Sequence, residues 1–213
     1  MHAHTEAFLD LALSQDILKL GNFTLKSGRQ SPYFFNLGAI ASGVAFNQLC
    51  DLYAQALKQS GISFDMLFGP AYKGIPLVTG VAIHLAQQGC DVPFAYNRKE
   101  AKDHGEGGTL VGAKPQGRVV IVDDVMTAGT AVRESIQLLS KTGAQPHALL
   151  IALDRQERGS SGLSAVQEMQ QSGLQVVSLA TLSDVIAYLT PRAQYADSLA
   201  AMRIYREQYA VVV

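Results

Sequence analysis

The stretch that decides the fold is Val119-Val120-Ile121-Val122-Asp123-Asp124-Val125-Met126-Thr127-Ala128-Gly129-Thr130. Its first four residues are apolar and β-branched, which is typical of a strand buried on both faces of a parallel sheet. A helical pattern follows, in which Val132, Ile136 and Leu139 share one face and Gly143 marks the end. The stretch therefore predicts a buried strand, a tight polar turn and an amphipathic helix, in that order.

Other short apolar runs of the same kind alternate with helical patterns along the chain. These runs cover residues 66–68, 93–96, 148–153 and 176–179. Helical patterns are formed by Leu77, Val78, Val81 and Leu85, which end at Gly89, and by a segment that begins at Leu163 and Val166 and ends at Gly173. The alternation predicts an α/β fold with a doubly wound, mainly parallel sheet, whose core we place at residues 62–190.

Two segments interrupt this alternation. Residues 1–40 combine a helical pattern (Phe8, Leu9, Ala12, Leu13, Ile17, Leu20) with two strand-like runs, which predicts a small N-terminal hood that contains a hairpin. Residues 98–108 are polar and end in a glycine-rich run, so we expect a long mobile loop of the kind that often covers a site. No repeat or linker divides the chain, and we expect a single domain over residues 1–213.

The composition excludes several classes of protein. Among the 213 residues, 48% are hydrophobic, enough for a sizeable core, and only 16% are charged, which favours an oligomer contact. A net charge of -1 argues against nucleic acid or an anionic membrane as a partner. No apolar run reaches the ~20 residues of a membrane span. Without a signal-peptide pattern, and with only Cys50 and Cys90, which we expect to be buried thiols in helices, we predict a cytoplasmic protein.

Chemically active residues follow four of the predicted strands. Residues 69–74 follow the first, Arg98 and Lys99 the second, Asp123 and Asp124 the third, and Arg155 the fourth. Because ligands of open parallel sheets bind at the carboxyl ends of the strands, we expect these segments to form one site. Its small residues, hydroxyls, carboxylates and cations suit a phosphorylated, hydroxyl-rich ligand.

The turn after residues 119–122 could serve such a ligand in two ways. Small residues before a helix let backbone N–H groups approach an anion. The carboxylates of Asp123 and Asp124 could accept hydrogen bonds from a vicinal diol or hold a hydrated Mg²⁺. Taken alone, an Asp-Asp pair more often ends a strand and caps a turn.

The whole run from Val119 to Thr130 resembles the 5-phosphoribosyl-1-diphosphate (PRPP) signature of the type I phosphoribosyltransferases. The resemblance implies the fold of that family. It also implies that Asp123 and Asp124 bind the ribose 2- and 3-hydroxyls. The loop that would hold the 5-phosphate consists of Val125, Met126, Thr127, Ala128, Gly129, Thr130 and Ala131.

The remaining segments resemble those of one branch of that family, the orotate phosphoribosyltransferases. Residues 23–29 and 31–35 resemble the hood, where Lys26 would contact PRPP and Phe34 and Phe35 the orotate ring. Residues 69–74 resemble the diphosphate loop, with Tyr72 and Lys73 as ligands. Residues 98–105 resemble the mobile catalytic loop, which contains Arg98, Lys99, Lys102 and His104. Arg155 matches the arginine that pairs with the orotate carboxylate.

This resemblance implies a reaction and an assembly. The 5-phosphoribosyl group of PRPP would pass to N1 of orotate, giving orotidine 5-phosphate and diphosphate in de novo pyrimidine (UMP) biosynthesis. Lys102, His104, Asp123 and Asp124 would be the catalytic residues. Mg²⁺ would be held mainly through PRPP and water, with no direct protein ligand. The enzyme would be a homodimer in which the mobile loop reaches the neighbouring subunit's site, with neither nucleic acid nor a membrane as partner.

Each residue also has a simpler interpretation. Phe34 and Phe35 could be core aromatics, and they point to opposite faces because they are adjacent on a strand. Lys26 and the cations of residues 98–102 could be solvated surface charges. Arg155 could pair with Asp154 or Glu157.

Three other functions compete with orotate transfer. Another phosphoribosyltransferase would use a purine or uracil, whereas Arg155 and the hood favour an acidic pyrimidine. A PRPP-sensing regulator would need a nucleic-acid surface, which the net charge of -1 disfavours. A PRPP-synthesising diphosphokinase would need a longer chain and a nucleotide-binding signature.

Overall fold

The computed structural model describes residues 1–25, 28–102, 108–126 and 129–211. The helices are α1 (Ala3–Ser14), α2 (Gly43–Gln59), α3 (Gly74–Gln87), α4 (Thr130–Lys141), α5 (Ala165–Gln171), α6 (Leu182–Leu189) and α7 (Ala196–Tyr209). The strands are β1 (Leu18–Thr24), β2 (Gln30–Phe35), β3 (Met66–Gly69), β4 (Phe94–Lys102), β5 (Gly108–Gly112), β6 (Arg118–Val122), β7 (Gln145–Asp154) and β8 (Gln175–Thr181). Two short 3₁₀ helices, Leu37–Ala39 and Ala193–Tyr195, complete the described elements.

Six strands form the main sheet in the order β5-β4-β3-β6-β7-β8. Neighbours from β4 to β8 are parallel, and only β5 runs antiparallel to β4. The strand β6, predicted from residues 119–122, lies between β3 and β7. The α/β class and the mainly parallel sheet are therefore confirmed.

Helices cover both faces of this sheet, which explains why β6 is apolar at every position. Val120 and Val122 belong to the core shared with α1, α2 and α3, whereas Val119 and Ile121 belong to the core shared with α4 and α5. All four side chains are fully buried. A strand with two buried faces has no position for a polar side chain, so its pattern is continuous rather than alternating.

A separate two-stranded sheet forms the hood. Strands β1 and β2 are antiparallel and pair Leu18 with Phe35 and Thr24 with Gln30. Phe35 packs into the main core together with Phe8 of α1, while Phe34 on the opposite face is 40% exposed. The hairpin and the opposite orientation of the two phenylalanines agree with the sequence analysis.

Several element boundaries differ from those predicted. Helix α1 ends at Ser14, so Ile17 and Leu20 lie outside it, and Asp16 takes a left-handed conformation (φ 55°) where the chain turns. Leu163 precedes α5, because Ser164 caps that helix by accepting a hydrogen bond from the Gln167 N–H. Helix α1 therefore ends earlier, and α5 begins later, than the spacing of apolar residues predicts. Turn and capping residues determine where each helix ends or begins.

The polar segment after residue 97 also differs from its prediction. Strand β4 continues through Lys102 and pairs with β5, which begins at Gly108, so residues 98–102 form strand rather than loop. Neither this extension nor β5 could be predicted from apolar periodicity, because antiparallel pairing between the two strands supplies the backbone hydrogen bonds instead. Residues 103–107 lie outside the described residues, and the mobility of the loop stays a prediction.

The two cysteines occupy different environments. Cys50 is buried within α2, and burial raises the pKa of its thiol to about 12. Cys90 is only half-buried and follows the end of α3, so its predicted helical and buried position was wrong. Within the described ranges, no helix is long and apolar enough to cross a membrane.

Candidate active site

The carboxylates of Asp123 and Asp124 lie immediately after β6, at the carboxyl edge of the sheet. Both residues are more than nine-tenths buried. Their backbone is tied to β7, since the Asp123 N–H donates to Leu150 O over 3.0 Å and Asp124 O accepts from the Ala152 N–H over 2.8 Å. The Tyr53 hydroxyl of α2 also donates to Asp123 O at 3.0 Å. The neighbouring strand and a buried tyrosine thus hold the acidic pair in one orientation.

The two carboxylates differ in their partners. Asp123 accepts a 2.9 Å hydrogen bond from the Asp124 N–H on its Oδ1. Asp124 Oδ2 lies 2.5 Å from Lys73 Nζ, a charge-assisted contact. Burial, followed by the charge of Asp124, raises the pKa of Asp123 to about 7. The site therefore holds one acid paired with a cation and another whose ionisation costs free energy.

Lys73 reaches Asp124 because two glycines let α3 begin close to the sheet. A Cβ on Gly69 would fall 2.2 Å from Gly74 O, and one on Gly74 would fall 2.9 Å from Val122 O. Both distances are far below van der Waals contact, so only glycine fits at either position. The turn between them, residues 70–73, is thereby placed beside the end of β6.

The same turn is linked to β4. The Ala71 N–H donates to Asn97 Oδ1 at 2.9 Å, and Lys99 Nζ lies 4.9 Å from the centre of the Tyr72 ring. Tyr72 is 67% exposed, so its ring is available to a ligand or to a second chain. The cations of β4 and the diphosphate-loop segment named above therefore lie on the same side of the site.

A cavity of about 450 Å³ opens between this turn, β4 and α4. It is lined by Pro70, Ala71, Asn97, Arg98, Lys99, Thr109, Ala131, Glu134, Ser135 and Leu138. The cavity thus places Arg98 and Lys99 opposite one side of α4, from Ala131 in its first turn to Leu138, with the carboxylate of Glu134 on that side. The lining therefore combines two cations with one carboxylate, and the cations lie next to the 70–73 turn.

The turn that leads into α4 is described in part. Val125 bridges to Leu153 of β7, and Met126 is buried. Gly129 precedes the helix in the left-handed conformation (φ 70°), where an L side chain would be strained. Thr127 and Ala128 lie outside the described residues. A phosphate-binding role for this turn remains a prediction.

The fourth strand end carries Arg155, which is directed toward the hood. Its Nε and Nη2 donate to Glu157 Oε1 at 3.0 and 2.7 Å. Its guanidinium carbon lies 4.9 Å from the centre of the Tyr33 ring in β2. The simpler interpretation, a pair with Glu157, therefore exists in the structure, while Asp154 instead accepts from the Gln156 N–H.

Comparisons with known proteins agree with this geometry. A family model described as "Phosphoribosyl transferase domain" matches residues 36–181. An orotate phosphoribosyltransferase of Bordetella petrii is 57% identical and covers 96% of both chains, and one of Cronobacter sakazakii is 54% identical over 99% of this chain and 100% of its own. The crystal structure of orotate phosphoribosyltransferase from Francisella tularensis superimposes with a TM-score of 0.87 at 38% identity, covering 95% of each chain.

The chain belongs to the orotate phosphoribosyltransferase family. The resemblance drawn from the residues is thereby confirmed, and so is the type I phosphoribosyltransferase fold. The acidic pair, the turn of residues 70–73 and the N-terminus of α4 lie along one edge of the sheet, as the sequence analysis predicts.

Some predicted site residues lie outside the part of the chain that the structure describes. Lys26, His104, Thr127, Ala128 and the side chain of Lys102 lie outside the described residues. Phe34, by contrast, is exposed on the hood and contacts Phe23, with ring centres 5.6 Å apart. Phe35 is a core residue, so the interpretation of a core aromatic holds for Phe35 alone.

Sequence reasoning missed the polar residues that surround Arg155. Tyr33 and Tyr205 both donate to Glu157 Oε1 at 2.9 Å, and Arg29 Nη1 lies 3.2 Å from Glu157 Oε2. Tyr205 comes from α7, about fifty positions along the chain, and Arg29 from the hood. Because these residues lie far from Arg155 in the chain, no sequence pattern predicts their contacts. The one available signal was Glu157, which lies two positions after Arg155.

Burial of Asp123 predicts a pH-dependent gain in stability for Asp123→Asn. Because the folded pKa of about 7 exceeds the ordinary 3.8, the folded state retains a proton that the unfolded chain releases. Stability from this group is full below pH 3.8 and is lost as the pH rises through 7. We expect the amide variant to melt several degrees higher than the parent at pH 8, because the buried charge destabilises the parent's folded state by roughly 4 kcal/mol at most. The difference should shrink at pH 5 in thermal unfolding.

Asp65→Asn is the matched control. Hydrogen bonds from Arg118 lower the pKa of exposed Asp65 to about 2, so its stabilising effect is present above the ordinary value and lost in acid. This variant should therefore melt lower than the parent at pH 8. Equal melting differences for Asp123→Asn at both pH values would contradict the burial argument.

Proposed function

We propose that this chain transfers the 5-phosphoribosyl group of PRPP to N1 of orotate, forming orotidine 5-phosphate and diphosphate in pyrimidine biosynthesis. The observation that carries this proposal is the buried Asp123–Asp124 pair beside Lys73, in a chain 57% identical to a named orotate phosphoribosyltransferase. A bond forms between N1 of orotate and C1 of the ribose, the bond from C1 to the diphosphate oxygen breaks, and the proton of N1 passes to the released diphosphate.

The proposed roles follow from charge. As diphosphate leaves, the ribose becomes cationic, so carboxylates near the sugar and cations near the leaving group lower the barrier. Asp123 and Asp124 hold the ribose hydroxyls and favour the positive charge. Lys73, Arg98 and Lys99 bind the diphosphate together with Tyr72, and Lys102 and His104 complete the site when the loop closes over it.

The N-terminal turn of α4 and the residues before it bind the 5-phosphate. Gly129 permits the left-handed backbone that starts the helix, and the N–H groups of Thr130 and Ala131 belong to the first helical turn. Val125, Met126, Thr127 and Ala128 supply the rest of this loop. Excluding water while the loop is closed prevents hydrolysis of PRPP.

Magnesium dependence belongs to the same proposal. Within the described ranges, no group of three or more His, Cys, Asp or Glu side chains forms a metal cage. The acidic pair fits a hydrated Mg²⁺, which prefers one or two carboxylates together with substrate phosphates. When bound, Mg²⁺ neutralises charge on the diphosphate. Asp123 and Asp124 would approach it through water and the ribose hydroxyls.

Purified protein with PRPP and Mg²⁺, offered orotate, uracil, hypoxanthine or adenine separately, tests the reaction. We expect diphosphate release with orotate alone, complete loss with a chelator, and recovery on adding Mg²⁺. Release with another base would contradict the assigned acceptor. Full activity in the chelator would contradict the metal requirement.

Arg155 is proposed to bind the orotate carboxylate, since its rigid fork of donors matches a planar carboxylate. Arg155→Ala should raise the orotate KM at least about tenfold, the loss expected when one charge-assisted contact disappears. The PRPP KM should change little. Lys141→Ala, at the exposed end of α4, is the control, and steady-state kinetics provide the measurement. A larger rise in the PRPP KM than in the orotate KM would count against this role.

We also propose a cytoplasmic homodimer in which Lys102 and His104 of the mobile loop enter the partner's site, while Arg98 and Lys99 remain in β4 beside the 70–73 turn of their own subunit. Exposed apolar side chains at Val44 and Ile83, with 82% and 52% exposure, and the low charged fraction support a subunit contact. The two unpaired cysteines fit a reducing compartment. Recovery of the chain in the soluble cytosolic fraction is the expected result of cell fractionation.

Subunit complementation tests the shared site. Lys102→Ala and Asp124→Asn should each be inactive alone, because each removes a catalytic residue. When the two variants are co-expressed, half the dimers are mixed and each mixed dimer has one intact site, so about one quarter of parental activity should return. Co-expressed protein no more active than the separate variants would show that the loop serves its own subunit.

A further inference from the structure

Glu157 is the centre of a polar cluster that joins the hood, the end of β7 and α7. Its side chain is 16% exposed, and it accepts hydrogen bonds from Arg155, Tyr33, Tyr205 and Arg29. Four of these bonds end on Oε1, at 2.7–3.0 Å. A carboxylate is an acceptor on both oxygens, and no neutral side chain accepts as many donors.

The contact with Arg155 uses one edge of the guanidinium. Nε and Nη2 form the inner fork of the guanidinium, the edge nearest the side-chain stem, and both donate to Glu157 Oε1. The outer fork, at the far end of the guanidinium, is formed by Nη1 and the other hydrogen of Nη2. Within the part of the chain that the structure describes, both hydrogen bonds of Arg155 go to Glu157, and the outer fork matches a second carboxylate.

The charge of the cluster favours the same ligand. Arg29 and Arg155 both pair with Glu157, at 3.2 and 2.7 Å, so the three side chains together carry one net positive charge. Arg155 is only 14% exposed, and its charge is therefore weakly screened by water. A ligand with one carboxylate would neutralise the cluster.

The surroundings hold Glu157 in place. The Tyr205 ring packs edge-on against the Tyr33 ring, with centres 5.9 Å apart, and the Arg158 N–H donates to Tyr209 O at 2.8 Å. Beside it, Gln156 takes a left-handed conformation (φ 52°), and its side chain accepts from the N–H and hydroxyl of Ser183. Backbone and side-chain contacts thus determine where the carboxylate of Glu157 lies.

We infer that Glu157 is a positioning residue for substrate recognition: it holds the inner fork of Arg155 and thereby directs the outer fork at the carboxylate of the acceptor base. This inference rests on the proposed function, in which that base is orotate. Glu157 itself does not touch the substrate. It acts through Arg155, and Tyr33, Tyr205 and Arg29 act by holding Glu157.

Glu157→Gln tests the inference, with Arg155→Ala and the double variant made in parallel. The amide keeps the size of the side chain but loses its charge and presents donors to the arginines. We expect the orotate KM to rise at least about tenfold, with the PRPP KM within about twofold of the parent. The double variant should have the same orotate KM as Arg155→Ala, because Glu157 acts only through Arg155.

Each outcome decides a separate point. If Arg155→Ala raises the orotate KM and Glu157→Gln does not, the positioning role is wrong while the proposed function stands. If Arg155→Ala leaves the orotate KM unchanged, the assignment of the orotate carboxylate to Arg155 fails as well. Equal rises in both KM values, with a large drop in melting temperature, would show that Glu157 only stabilises the fold.

Glu157→Asp takes the place of Glu157→Gln if the amide variant does not fold. It keeps the charge but shortens the side chain by one methylene, so it cannot hold Arg155 in the same position. The same criterion applies, a rise in the orotate KM without one in the PRPP KM. Asp65→Asn, in an exposed ion pair with Arg118, is the control for a lost surface carboxylate and should change neither value.

Discussion

The burial of two adjacent carboxylates at the end of β6 is the constraint on which the site depends. Asp123 and Asp124 remain in place because β7 binds their backbone, Tyr53 supports Asp123 O and Lys73 pairs with Asp124. Burial raises the pKa of Asp123 to about 7, so keeping this carboxyl group buried lowers the stability of the fold at neutral pH. Such a cost is expected where a group serves binding rather than folding.

Two glycines, at the end of β3 and the start of α3, place the rest of the site beside the acidic pair. Gly69 and Gly74 let α3 start against the sheet, which brings the residues 70–73 turn to Asp124 and to Asn97 of β4. The proposed diphosphate side and ribose side are therefore joined by close backbone packing at the two glycines and by the side-chain pair of Lys73 with Asp124. The hood is joined to the same edge by Glu157, which connects it to α7 and to Arg155. The proposed acceptor side of the site thus depends on elements far apart in the chain.

Much of the fold and of the candidate site could be predicted from the chain itself. Residues 119–122 are continuously apolar because two faces are buried, and the acidic pair follows because carboxyl ends of strands carry the site. The hairpin of the hood and the opposite orientation of Phe34 and Phe35 also followed from strand geometry. The extension of β4 to Lys102, strand β5 and the true end of α1 did not, since pairing and turn contacts overrode apolar spacing.

The sequence by itself determined the alternation of strands and helices, the acidic turn and the family resemblance, because these depend on residues that are neighbours in the chain. Only the tertiary structure decided which side chains surround them. Arg155 has a nearby alternative partner in Glu157, and pairs with it while Tyr33, Tyr205 and Arg29 converge on the same carboxylate. The contacts of Tyr33, Tyr205 and Arg29 with Glu157 join residues more than forty positions apart, and their hydrogen bonds form only once the sheet, the hood and α7 have packed together.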